Sequence, residues 1–104
     1  MTGRGNPEPD FPPVVLPCDQ LVFDVVLVDV VLGLVGTVAL GQVLEVALAE
    51  SRFPAVFAGA ERLGGVTAGG RLSRLVECLS AGQTFSAIVL ELDGAYVKVH
   101  ISAT

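Results

Sequence analysis

The sequence predicts a small, mainly β domain with one docked amphipathic helix. Three observations predict it. The stretch from Leu63 to Ile101 reads strand, helix, strand, two-residue turn, strand. The apolar residues are mostly Val, Leu and Ala, with one Tyr, five Phe and no Trp, a set that favours a pleated surface. The 104 residues are 52% hydrophobic and 16% charged, the balance of one domain with a core of its own.

Residues 1–13, ending in Phe11-Pro12-Pro13, are rich in Pro, Gly and acidic side chains and read as a disordered N-terminal tail. That leaves 14–104 as the single domain. Leu21 to Leu32 reads as one long Val-rich strand. Its odd positions are Leu21, Phe23, Val25 and Leu27, and its even positions include Val22, Val26, Val28 and Val30. Both faces are therefore apolar, as in a strand that is covered twice, curls through a barrel or meets a partner. Asp24 and Asp29 mark places where it surfaces, on opposite faces.

Gly33, Gly36 and Gly41 punctuate a connection into a second strand, Gln42 to Ala49. Ser51-Arg52-Phe53-Pro54 is a break, Ala55 to Ala58 a third strand, Gly59-Ala60-Glu61 a turn and Arg62 to Val66 a fourth strand. Thr67 is the expected N-cap of a helix over Arg71 to Ser80. Leu72, Leu75, Val76 and Leu79 form its apolar stripe, Arg74 and Glu77 an ion pair on its wet side, and Gly82 its left-handed cap. Thr84 to Glu91 is a fifth strand. Asp93-Gly94 signals a type I′ hairpin into a sixth, Tyr96 to Ile101. There Val97, Val99 and Ile101 face inward and Tyr96, Lys98 and His100 outward.

The net charge of −5 lies in residues 1–49, where Arg4 stands against Glu8, Asp10, Asp19, Asp24, Asp29 and Glu45. Such a field does not steer nucleic acid from a distance. The second half holds Arg52, Arg62, Arg71, Arg74 and Lys98, enough for a local basic patch. Cys18 and Cys78 lack CxxC spacing and read as reduced thiols of a cytoplasmic protein, Cys78 serving as a small buried hydrophobe. Uncharged Val30 to Leu44 falls short of the roughly 18 residues that span a bilayer, so no membrane is expected. With one His and two distant Cys, no metal site is expected. No nucleophile elbow or phosphate loop occurs, so the chain reads as a non-enzyme without a cofactor. Its best binding constellation is Tyr96 and Lys98 on one strand face with Arg62 and Arg71 nearby: a stacking plane and phosphate-neutralising cations.

Gly41-Gln42-Val43-Leu44 at the second strand, Arg62-Leu63-Gly64-Gly65-Val66 at the fourth, the helix Leu72 to Leu79 with Gly82, and the closing Val97 to Ile101 together resemble the HIRAN domain. The likeness covers Leu21 to Ala103. It implies a six-stranded β-barrel with one helix that grips the 3′ ends of single-stranded DNA. The stretch Glu50-Ser51-Arg52-Phe53-Pro54-Ala55-Val56 stands where that family has its DNA-gripping motif, and it lacks the Asn and Asp. Val31-Leu32 and Gly65 stand where the family has aromatics. The resemblance adds Arg52 and Phe53 to the expected nucleic-acid-binding set of Arg62, Arg71, Tyr96 and Lys98. The alternative expectation is a protein-interaction or self-assembly module that uses the apolar strand 21–32, with a protein partner or a second copy.

Overall fold

The computed structural model describes residues 17–67 and 71–104. The expected tail over 1–13 lies outside them. Six strands form one antiparallel sheet: β1 (Val22–Val26), β2 (Val43–Ala49), β3 (Phe53–Ala58), β4 (Glu61–Gly65), β5 (Phe85–Asp93) and β6 (Tyr96–Ala103), in the order β1-β6-β5-β2-β3-β4. A 3₁₀ turn (Cys18–Gln20) precedes β1. A single helical turn, α1 (Leu32–Val35), follows β1, and helix α2 (Leu72–Ser80) lies between β4 and β5. Among the described residues no helix is long and apolar enough to cross a membrane.

The expected strand over Leu21 to Leu32 is shorter than its apolar pattern suggests. It keeps its ladder with β6 from Val22 opposite Ser102 to Val26 opposite Lys98. The Leu27 N–H still donates to the Val97 carbonyl (2.8 Å). The chain then changes partner. Val28 forms an isolated bridge with Gly65 of β4, Asp29 turns in the left-handed region (φ 52°), and the Val31 N–H donates to the Leu63 carbonyl (2.9 Å). Apolar side chains continue past Val26, but the backbone partner does not, and the partner defines a strand.

The same segment decides how far the sheet closes. β1 and β4 are the edges of the sheet, and no continuous ladder joins them, so a barrel describes it only loosely. One bridge and one further hydrogen bond hold the curl together. Gly64 and Gly65 permit that approach. A Cβ at Gly64 would lie 3.0 Å from the Leu27 Cβ and 3.2 Å from the Val28 carbonyl oxygen.

Alternation places Leu21, Phe23 and Leu27 inside with Leu44, Val46, Val56, Leu63, Phe85, Ala87, Val89, Val97, Val99 and Ile101. The inward set of β6 is the one its pattern requires. Helix α2 closes the core with Leu75 and Cys78 fully buried and Leu72 and Leu79 half-buried, whereas Val76 stays at the rim. Its C-terminus is a Schellman motif. The Gln83 N–H donates to the Cys78 carbonyl (3.0 Å), the Gly82 N–H donates to the Leu79 carbonyl (3.1 Å), and Gly82 is left-handed (φ 94°). At the other end Arg71, not Thr67, is the N-cap, with no side-chain capping bond.

Two further expectations are corrected. Cys18 and Cys78 are not free thiols: they form a disulfide across 60 positions of sequence, with Cα atoms 5.6 Å apart. Cys78, as expected, is fully buried on the helix's inner face. The hairpin loop is Gly94-Ala95, because Asp93 pairs with Tyr96. Only Gly94 takes a positive φ (60°), which is the pattern of a type II′ turn rather than type I′.

Candidate binding cleft

A concavity lies where the Val28–Gly65 bridge, the β2–β3 turn and the start of α2 meet. It encloses about 450 Å³. Val28 and Gly65 form part of its lining, with Leu72 on the α2 side and Phe53 and Pro54 from β3. Phe53 is 59% exposed, a large apolar ring held open to water. The Arg52 guanidinium sits 5.4 Å from its centroid, in cation–π contact. Arg62, half-buried, lies over Gly65: a Cβ at that glycine would come 3.1 Å from Nη2. The absence of a side chain at position 65 thus makes room for the guanidinium.

Two carboxylates share this lining, Asp29 and Glu50. Both have left-handed backbones (φ 52° and 55°), as does Ser51 (φ 61°). Three adjacent or facing residues in a region that non-glycine residues seldom adopt mark a strained rim, a feature that clusters at binding sites.

Of the six residues chosen from sequence, Phe53 and Arg62 line the cleft, Arg52 stacks on Phe53 at its rim, and Arg71 precedes the cleft-lining Leu72. Tyr96 and Lys98 do not line it. They lie on the outward face of β6, which the 27–28 segment separates from β4, about 10 Å away at two strand spacings. Lys98 is offset by Glu91, 3.8 Å away. On the same face His100 Nδ1 meets Asp24 Oδ1 at 2.7 Å, a cross-strand pair set by the β1–β6 register. Arg74 pairs with Glu77 at 3.1 Å, as the helix spacing requires.

The sequence reading missed Asp29 and Glu50 as cleft groups. Nothing local distinguishes Glu50, a residue of the β2–β3 turn that lines the cleft. Among the described residues no group of three or more His, Cys, Asp or Glu converges as metal ligands would. No protein-family model, curated protein or solved structure matches the chain.

Proposed function

We propose that this domain is a non-enzymatic binding module that holds a single strand or end of nucleic acid in the cleft. The observation that carries this reading is the exposed Phe53 ring capped by Arg52 and set beside Arg62 in one concavity. A base stacks on an aromatic face whatever its identity, and guanidinium groups neutralise the flanking phosphates. In this reading Arg71, which precedes the cleft-lining Leu72, adds a third cation. Asp29 and Glu50 oppose a continuous phosphate backbone there, so binding is weak and depends on salt.

Fluorescence anisotropy with a labelled oligo(dT) at tens of micromolar protein tests this. Binding should weaken with salt with a log–log slope near −2, about −0.7 for each of Arg52, Arg62 and Arg71. Phe53→Ala should lower affinity about tenfold, the cost of losing one stacked base. Lys98→Glu should matter less than Arg62→Glu, because Lys98 already has a carboxylate partner. Absence of any salt-sensitive binding would refute the reading.

A second reading, a protein-docking or self-assembly module, is favoured by a different observation. The even positions of the first strand and the turn after it leave Val22, Val26, Val28, Val31 and Leu32 exposed, Leu32 at 63%. Light scattering at rising concentration decides whether this stripe pairs with a second copy. A strict monomer removes self-assembly.

A further inference from the structure

We propose that the Cys18–Cys78 disulfide is a redox latch on helix α2, and through it on one wall of the cleft. The helix touches the cleft at its first residue, Leu72, and is anchored near its other end by Cys78. Over nine residues it is a rigid rod of about 13 Å. Only Leu75 and Cys78 are fully buried, so the disulfide supplies one of its two deep anchors. The N-terminal cap makes no side-chain bond, which leaves the Leu72 end dependent on the packing further along.

The bond is reachable from one side. Cys78 is fully buried, whereas Cys18, in the short 3₁₀ turn, is partly exposed. A dithiol reductant attacks Cys18 Sγ as a thiolate. The Sγ–Sγ bond breaks and Cys78 leaves as a thiolate that takes a proton. The reductant's second thiol then displaces Cys18, which is protonated in turn. Two electrons pass to the protein disulfide, and the dithiol becomes a disulfide. The 3₁₀ turn is then tied to α2 by packing alone, and the helix loses the tether that fixes its register on the sheet.

The effect on ligand rests on the cleft being the binding site; the loosening of α2 does not. Amide hydrogen exchange of the full chain, oxidised and after treatment with a dithiol, separates the two. On reduction, exchange over Leu75 to Ser80 should rise about tenfold or more beyond the uniform rise that the lost global stability gives β5 and β6. Cys18→Ser should reproduce the reduced pattern without reductant. Unchanged exchange in α2 would overturn the latch. An equal rise in α2 and in the strands would overturn it too, since the disulfide would then only staple the whole fold. Oligo(dT) serves as the cleft probe: affinity lower by several-fold in the reduced form supports gating, and equal affinity in both forms overturns it. If oligo(dT) binds neither form while α2 loosens, the nucleic-acid reading fails and the latch stands.

Discussion

Gly64 is the most closely packed of the described glycines. Its missing side chain lets Leu27 and Val28 close on β4, and neither the Leu27 Cβ nor a backbone carbonyl can swing aside. Gly64→Ala should therefore destabilise by about 1–3 kcal/mol, the range for overpacking a filled core. The shift in the urea midpoint measures it, and an unchanged midpoint would show that the seam can relax. Ion pairs on the outer face matter less. His100 and Asp24 meet at 2.7 Å but both side chains are well exposed, so His100→Ala should cost no more than about 1 kcal/mol. Gly82→Ala places a Cβ in the left-handed cap and should cost about 1–2 kcal/mol, read from the same transition.

At the scale of elements, period and punctuation carried most of the information. The alternation of Val97, Val99 and Ile101 against Tyr96, Lys98 and His100 specified both faces of β6. Leu72, Leu75 and Leu79 specified the docked face of α2, and Gly82 its end. Two elements were not legible, for a shared reason: each depends on a partner remote in sequence. The strand β1 stops at Val26 because its neighbour changes from β6 to β4, which no property of Val28 or Val30 announces. Cys18 and Cys78 pair only because the turn before β1 packs beside α2. That bond closes a long loop, and on the chain-entropy account it adds about 4 kcal/mol by restricting the unfolded chain. Cys18→Ser/Cys78→Ser should lower Tm to the value the wild type shows with a dithiol reductant. A wild-type Tm indifferent to reductant would mean the bond contributes nothing. The bond also bears on setting: disulfides persist where thiols are kept oxidised, in contrast to the reduced thiols expected of a cytoplasmic chain.

For the whole molecule, the fold was read more fully than the site. Composition and turn signals named six strands and a helix, and the structure has them in one curled sheet. Of the residues chosen from the sequence, Phe53 and Arg62 line the cleft and Arg52 stacks on Phe53, while Tyr96 and Lys98 stand one segment away. Asp29 and Glu50 escaped notice because their role arises from two loops meeting, not from a pattern within either. The excess negative charge of the first half opposes nucleic acid at long range, so the association proposed above should be slow as well as weak. Raising ionic strength should weaken it further without abolishing the stacking on Phe53.

The join between the two sheet edges has a consequence for any ligand, whatever its chemistry. Val28 and Gly65 exchange both of their backbone hydrogen bonds, at 3.0 and 2.7 Å, and both also line the cleft. This seam between the edges of the open, curled sheet is therefore part of the wall against which a guest would rest. An occupant braces that seam like a keystone, and occupancy should slow deuterium uptake at those two amides before it slows uptake elsewhere. A screen that watches Val28 and Gly65 would thus register the true guest even while its chemical class is unknown.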